Sequence, residues 1–145
     1  MAAATVFNRN FSSLALVLAF NLAFALTSFT SPAEARGNGT AASYTVDPSS
    51  ACPNGSAING GRFLAMVQAR AFNNGAACGR QYKISCIGGT NDVKEPCIKG
   101  KWVNVTVANL CSGDSCDTFT LSTDAFDVIA KHDAGRVQIT YKRLH

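Results

Sequence analysis

The sequence predicts a small, mostly β barrel that is held together by disulfides. Several short segments alternate polar and apolar residues, only two short segments suit a helix, and strands and helices do not alternate along the chain. All six cysteines follow a hydrophobic N-terminal segment, which favours three disulfides in an exported protein. No internal repeat or low-complexity tract is present, so we expect one folded domain.

The N-terminal segment has the parts of a secretory signal peptide. Arg9 supplies a positive charge, residues 14–26 are apolar, and Ala-Glu-Ala at 33–35 suits a small-x-small cleavage site. We therefore expect a signal peptide at 1–35 and a soluble domain at 36–145. A membrane anchor is the alternative, but Asn21 interrupts the apolar run, which falls short of the ~20 residues needed to span a bilayer.

The predicted mature domain is short, so burial alone supplies limited stability, and each disulfide adds roughly 2–4 kcal/mol. Zinc is the competing use of cysteine, but no C-x-x-C occurs and the histidines are only His132 and His145. Twelve basic and eight acidic residues remain after cleavage, a net charge of +4. These charges are scattered, whereas a nucleic-acid surface carries a dense basic run. We expect no metal, cofactor or nucleic-acid partner; attraction to acidic wall polysaccharide or a membrane surface is physically allowed.

The first half of this domain contains one strand region and one helix in the prediction. Residues 36–59 are rich in Gly, Ser, Thr, Asn and Pro, which indicates extended strand and loops. Residues 62–72 predict a short helix that ends at the Asn-Asn-Gly turn of 73–75. Its apolar face contains Phe63, Met66, Val67 and Ala71.

The second half predicts strands and a second helix. Residues 82–86 and 102–107 alternate with period two. In the second of these strands Val103, Val105 and Val107 are expected inside, and Trp102, Asn104 and Thr106 outside. A third strand ends at Leu121, Ser122 is expected to cap the second helix, and residues 137–141 form the last strand. That helix has Asp124 in its first turn and an apolar face of Ala125, Phe126, Ile129 and Ala130.

Three N-glycosylation sequons begin at Asn38, Asn54 and Asn104. Asn104 is expected on the outward side of its strand. Because sequons this short arise often by chance, each marks only a permissive site.

Several motifs occur in order along nearly the whole mature domain. They are Gly39-Thr40-Ala41-x-x-Tyr44, Ser50-Ala51-Cys52, Arg62-Phe63-Leu64-Ala65-Met66-Val67, Asn73-Asn74-Gly75-x-x-Cys78-Gly79-Arg80-x-Tyr82, Val103-x-Val105-x-Val107-x-Asn109-x-Cys111 and Asp133-Ala134-Gly135-Arg136-Val137. Together they resemble the expansin-like, EG45-domain proteins, a family that includes the plant natriuretic peptides. The resemblance implies a six-stranded double-psi β-barrel, as in barwin and the family-45 endoglucanases. By analogy with the expansin barrel it pairs Cys52 with Cys78 and Cys86 with Cys97, which leaves Cys111 to Cys116.

The resemblance also implies that the protein is not an enzyme. The related endoglucanases use two carboxylates that flank one groove. Thr120 occupies the position of the expansin acid in a His-Phe-Asp-Leu-Ser stretch, and Asn109 that of a second acid; neither donates a catalytic proton. Six aspartates are expected in surface roles: Asp47, Asp114, Asp117, Asp124, Asp127 and Asp133. His132 beside Asp133 has no nucleophile placed with it.

By resemblance, the protein is a secreted, monomeric signalling protein of the apoplast. It is expected to regulate water and ion homeostasis, including cell volume and stomatal opening, through a plasma-membrane receptor of the receptor-kinase type and cyclic GMP. The receptor-active segment is expected to include Arg62, Phe63, Leu64, Met66, Arg70, Asn73, Asn74, Gly75, Gly79, Arg80 and Tyr82. The segment 53–61 departs from the common form of the family.

Binding of cell-wall polysaccharide, or a barwin-like defence role, is the alternative function, and weak hydrolysis ranks third. The candidate groove for a polysaccharide contains Tyr44, Trp102, Asn109 and Thr120. Aromatic side chains there would stack on sugar rings.

Overall fold

The structure is a computed structural model that describes residues 35–45, 50–53 and 61–145. Three predictions fall outside these residues: most of the signal peptide predicted at 1–35, namely residues 1–34, together with Asp47 and the sequon at Asn54. In the described part of the chain, no helix is long and apolar enough to cross a membrane. Its elements are β1 (Arg36–Tyr44), β2 (Leu64–Gln68), α1 (Ala69–Phe72), β3 (Gln81–Gly89), β4 (Val103–Cys111), β5 (Phe119–Ser122), α2 (Thr123–Ile129), a 3₁₀ turn (His132–Ala134) and β6 (Arg136–Arg143).

The six strands of the described chain close into a barrel in the order β1-β5-β2-β4-β3-β6. β1 pairs with β5 and β2 with β4 in parallel, and the other four pairs are antiparallel. Closure satisfies the backbone groups that an open sheet would expose at its edges. The predicted six-stranded barrel with two short helices is confirmed.

The interior of the barrel is filled by the inward side of the alternating strands. Val105 and Val107 are buried on β4, and Ile139 is buried on β6. From α2, Phe126 and Ile129 are fully buried and extend this core. The predicted strands at 82–86 and 137–141 therefore lie in β3 and β6, and the one predicted at 102–107 lies in β4 from Val103 onward. The predicted apolar face of the second helix is confirmed.

The predicted helix at 62–72 is wrong in its first part. Leu64–Gln68 forms β2, and the helix is limited to Ala69–Phe72. β2 lies between β4 and β5 and exchanges backbone hydrogen bonds with both, so strand pairing outweighs the local helical pattern. The expected turn follows: Asn73 and Asn74 have left-handed backbones, with φ of 48° and 51°, and end the helix.

Two smaller expectations also fail. Thr106 was expected outside but is 8% exposed. Ser122 precedes α2 without capping it: its hydroxyl donates to the carbonyl of Arg62 at 2.7 Å and accepts the N–H of Leu64 at 3.1 Å. These two bonds instead tie the end of β5 to the start of β2.

All six cysteines are described, and they form the three pairs that the resemblance implies. Cys52–Cys78 spans 26 residues, Cys86–Cys97 spans 11 and Cys111–Cys116 spans 5. The first bridge joins the segment after β1 to the turn after α1.

Candidate functional site

One row of outward side chains crosses four adjacent strands of the barrel. Thr120 on β5 lies opposite Ala42 on β1 and Met66 on β2, and Met66 lies opposite Asn109 on β4. Side chains of directly opposed residues project to the same side of a sheet. Half-buried Tyr44, two residues after Ala42, extends this row. We call these five residues the neutral face.

Asn109 reaches the neutral face because β4 is irregular. Ala65 pairs with Val107 whereas Met66 pairs with Asn109, so Ala108 is an extra residue in the ladder. The extra residue reverses the alternation that buries Val107. Asn109 is consequently partly exposed on the outside of the barrel.

Hydrogen bonds hold the Asn109 side chain in one orientation. Its Oδ1 accepts the N–H of Ala51 at 2.8 Å and the N–H of Leu110 at 2.9 Å. The hydroxyl of Ser50 donates to the carbonyl of Ala108 at 2.5 Å. These bonds attach the segment before Cys52 to β4, so the polar group on the neutral face is preorganised.

Tyr44 forms the aromatic end of the neutral face. Burial raises the pKa of its phenol above the ordinary value of about 10. Its backbone carbonyl accepts the hydroxyl of Thr123 at 3.1 Å, which ties the end of β1 to α2. The phenol is therefore protonated at neutral pH and is available as a hydrogen-bond donor.

An ion pair lies at the margin of the neutral face. Arg136 on β6 is opposite Ala42, and its Nε lies 3.0 Å from Oδ1 and 3.2 Å from Oδ2 of Asp117. Asp117 is 6% exposed, so the expectation of a surface role for it is wrong. Sequence reasoning missed this pair because the two residues are far apart in the chain.

The neutral face offers hydroxyl, amide, thioether and phenol groups and has no charged side chain among its five residues. Glycoside hydrolysis by the usual route needs two carboxylates on opposite sides of the bond that is cleaved. Hydroxyl and amide groups suit the hydroxyls of an uncharged ligand, and Met66 and Tyr44 provide apolar contact. The arrangement is chemically suited to binding a neutral sugar chain.

The structure does not bring Trp102 to the predicted groove. Trp102 lies immediately before β4, seven residues before Asn109, which corresponds to about 20 Å along an extended strand. The first half of β4 pairs with β3 and the second half with β2, so the two residues lie on different sides of the barrel. Trp102 instead contacts Lys83, whose Nζ lies 4.1 Å from the ring centroid.

Four residues of the predicted receptor-active segment come together at one end of the barrel. They line a cavity of about 340 Å³, which we call the end pocket. Phe119 and Tyr141 form its aromatic wall together with Tyr82, and the ring centroids of Tyr82 and Phe119 are 5.0 Å apart. The four segment residues in the pocket are Arg70, Asn73, Arg80 and Tyr82.

The other residues of that segment are dispersed. Leu64 is 4% exposed and packs in the core, so its side chain is not accessible to a receptor. Met66 lies on the neutral face, and the guanidinium of Arg62 lies 5.1 Å from the ring of Phe63. The last three residues lie in the turn between α1 and β3: Asn74, Gly75 and Gly79.

The remaining acidic residues do not assemble a second site. His132 Nδ1 lies 3.0 Å from Asp127 Oδ1, so its partner is not Asp133. Asp114 and Asp124 are exposed. Within residues 35–45, 50–53 and 61–145, no three His, Cys, Asp or Glu side chains converge as a metal site.

Comparisons with known proteins show which sequences this chain is similar to. The family model described as "Lytic transglycolase" matches residues 64–141. An EG45-like domain containing protein of Citrus jambhiri is 35% identical over 106 residues, which is 72% of this chain and 79% of that protein. EG45-like domain containing protein 2 of Arabidopsis thaliana is 40% identical over 75 residues, which is 52% of this chain and 57% of that protein.

A solved structure has the same fold. A mutant of the expansin of Clavibacter michiganensis, in complex with cellohexaose, matches with a TM-score of 0.57 and 23% identity. The match covers 77% of this chain and 51% of the expansin, so the chain corresponds to about half of that protein.

Proposed function

The chain belongs to the EG45-like, expansin-related family, and from this premise we propose that it is a secreted, non-catalytic protein that binds neutral polysaccharide of the plant cell wall. The neutral face is the proposed binding surface. The protein acts as a monomer in the extracellular space in this proposal.

The row of uncharged side chains across four strands is the observation that carries the proposal. Thr120, Asn109 and Tyr44 provide hydrogen-bonding groups, and Ala42 and Met66 provide apolar surface between them. A glucan chain has hydroxyl groups at its edges and C–H groups on its ring faces, which match this mixture. The bound cellohexaose of the bacterial expansin supports the choice of ligand class, since that protein has the same fold.

The absence of a carboxylate from the five residues of the neutral face supports a binding role without hydrolysis. Thr120 and Asn109 stand where the resemblance places acids, and Asn109 uses its Oδ1 to bind two backbone N–H groups. Asp117 at the margin is engaged by Arg136 through both carboxylate oxygens. One ion-paired carboxylate does not provide the acid and base pair of a hydrolase.

Retention on cellulose tests this proposal. Met66→Glu places a charge in the middle of the neutral face and is expected to weaken binding about tenfold, or about 1.4 kcal/mol. Ile87→Glu is the matched control, because Ile87 is an apolar residue that is 53% exposed and lies outside the neutral face. Equal effects of the two substitutions, or no retention of the wild-type protein, would contradict the proposal. Release of reducing sugar would contradict its non-catalytic part.

A second candidate function is signalling in water and ion homeostasis, through a plasma-membrane receptor and cyclic GMP. The end pocket favours it, because this pocket gathers Arg70, Asn73, Arg80 and Tyr82 from the segment expected to be active. Planar guanidinium groups beside aromatic rings suit an acidic side chain of a receptor. The pocket is separate from the neutral face, so the two functions can be tested independently.

The volume of leaf protoplasts tests the signalling function. The oxidised protein is expected to cause swelling, and Arg70→Gln combined with Arg80→Gln is expected to abolish it. Lys99→Gln combined with Lys131→Gln is the control, because both residues lie outside the end pocket and outside the receptor-active segment. Swelling that persists in the double variant, or no swelling with the wild-type protein, would exclude this function.

A further inference from the structure

A second row of outward side chains crosses the other side of the barrel. Asn104 on β4 lies opposite Lys83 on β3, Lys83 lies opposite Lys142 on β6, and Lys142 lies opposite Arg36 on β1. Neighbouring strands are about 4.8 Å apart, so the backbone positions of the three cations form a closely spaced row. We call these four residues, together with Trp102, the basic face.

Trp102 gives the basic face an exposed aromatic surface. The residue is 48% exposed, and the Nζ of Lys83 lies 4.1 Å from its ring centroid. It lies two residues before Asn104, and its contact with Lys83, which is opposite Asn104, places its ring beside this row. A cation and an indole ring are thus presented together.

A parallel row of polar side chains lies beside the basic face. Ser85 lies opposite Thr140, and Thr140 lies opposite Asn38. A shallow pocket of about 240 Å³ lies between the two rows and is lined by Arg36, Lys83, Ser85, Thr140, Tyr141 and Lys142. The pocket therefore has both cationic and hydroxyl groups at its walls.

The three cations of the basic face are consecutive across paired strands. Lys83 lies opposite Lys142, and Lys142 lies opposite Arg36. A ligand with regularly spaced negative charges would interact favourably with such a row.

We propose that the basic face binds an acidic wall polysaccharide of the polyuronate type. Such a chain has a carboxylate on every sugar, so a line of carboxylates meets a line of cations. The ring of Trp102 packs on a sugar face, and Ser85 and Thr140 bind hydroxyl groups. This site goes beyond the proposed function, since it would let one barrel hold a neutral and an acidic polysaccharide at the same time.

Two other polyanions fit the basic face less well. Single-stranded nucleic acids are bound by several aromatic residues along a basic groove, whereas this face has one indole. Anionic membranes are recognised by clusters of about four to eight Lys and Arg, and this face has three. Both remain outcomes of the test.

The predicted mature domain at 36–145, which contains every described strand and all three disulfides, provides the protein for the test. It is produced in an oxidising bacterial periplasm, where no N-glycan is added. Because Trp102 is the only tryptophan of the chain, its fluorescence reports on the basic face directly. De-esterified oligogalacturonate is the probe, and the fully methyl-esterified oligomer is the uncharged control.

We expect a saturable change in Trp102 fluorescence with the de-esterified oligomer and none with the esterified one. Lys83→Gln combined with Lys142→Gln is expected to weaken binding about tenfold, as for the loss of two partly exposed ion pairs. The control pair Arg62→Gln and Lys131→Gln removes the same charge from other parts of the surface, including a second cation–π contact. It is expected to change the affinity less than about twofold.

Four results would overturn the proposal. The first is no change in Trp102 fluorescence, and the second is equal binding of the esterified and de-esterified oligomers. The third is an equal loss of affinity in the two pairs of variants. The fourth is that phosphatidylserine vesicles or a DNA oligomer bind at least as tightly as the de-esterified oligomer, with the same dependence on Lys83 and Lys142. Cellohexaose distinguishes this site from the neutral face, because it is expected to leave Trp102 fluorescence unchanged while cellulose still retains the protein. Failure of the basic face therefore leaves the proposed function standing, and the reverse also holds.

Discussion

The neutral face and the basic face lie on opposite sides of one barrel and share two of its strands. β1 contributes Arg36 to the basic face and Tyr44 to the neutral face, and β4 contributes Asn104 and Asn109 in the same way. The inward residues of these strands build a common core. In a closed barrel, successive side chains along a strand point alternately into the core and out to solvent. The outward residues can therefore differ between the two faces without changing the core that stabilises the fold.

The two faces also differ in how their side chains are held. Asn109 on the neutral face is fixed by two backbone N–H donors, and Tyr44 is half-buried. On the basic face Lys83 is held through the ring of Trp102, an exposed contact that salt and solvent weaken. We therefore expect the neutral face to be preorganised and the basic face to adapt to its ligand.

A glycan on the basic face is expected to have the largest effect, because it should block one binding activity and leave the other unchanged. A variant that keeps only the sequon at Asn104, produced in a host that glycosylates it, is expected to lose binding to oligogalacturonate because the glycan covers Lys83 and Trp102. Retention on cellulose is expected to be unchanged. Asn104→Gln in the same host is the control and should restore binding. Loss of both activities would mean that the two surfaces are not independent.

The removal of single disulfides is expected to have the second largest effect, on stability and on ligand binding. Cys52–Cys78 closes a loop of 26 residues beside the neutral face and, by the chain-entropy estimate, adds roughly 3.5 kcal/mol to the free energy of unfolding. Cys86–Cys97 closes a loop of 11 residues that begins in β3 and adds roughly 2.8 kcal/mol by the same estimate. Paired Cys→Ser substitutions and denaturant unfolding measure both. We expect loss of the first bridge to weaken retention on cellulose more than binding to oligogalacturonate. The opposite ranking of ligands would contradict the assignment of this bridge to the neutral face.

The role of Asn109 is tested by a smaller change. Asn109→Ala leaves the N–H groups of Ala51 and Leu110 without their acceptor and is expected to cost about 1–3 kcal/mol, nearer the lower limit because the bond to Ala51 is exposed to water. Asn109→Asp keeps an acceptor oxygen and is expected to retain most of this stability. Urea unfolding of the two variants is the measurement. Equal losses would show that hydrogen bonding by Oδ1 is not what stabilises the segment.

Alkaline pH is expected to have the smallest effect. Because burial raises the pKa of Tyr44 in the folded protein, the unfolded chain loses this proton first as pH rises. The contribution of Tyr44 to stability is therefore complete below about pH 10 and declines above it. Tyr44→Phe is expected to flatten the decline of unfolding free energy above this pH. An identical pH profile in the variant would remove Tyr44 as a cause.

Much of the fold was predictable because its signals are local. The alternation in β3, β4 and β6 and the apolar face of α2 follow from residues that are neighbours in the chain. The order of the family motifs extended this to the six-stranded barrel and to the three cysteine pairs. Three of the groove residues predicted from the sequence, Tyr44, Asn109 and Thr120, lie together on the neutral face.

The rest was decided by the pairing of strands that are distant in the chain. Residues 64–68 suit a helix locally and become β2 because strands on both sides supply hydrogen bonds. The extra residue Ala108 has no distinct local signal, yet it turns Asn109 outward. Likewise, Lys83, Lys142 and Arg36 are far apart in the chain. Only closure of the barrel makes them one line of charge, because the register between strands is set by the packing of the core.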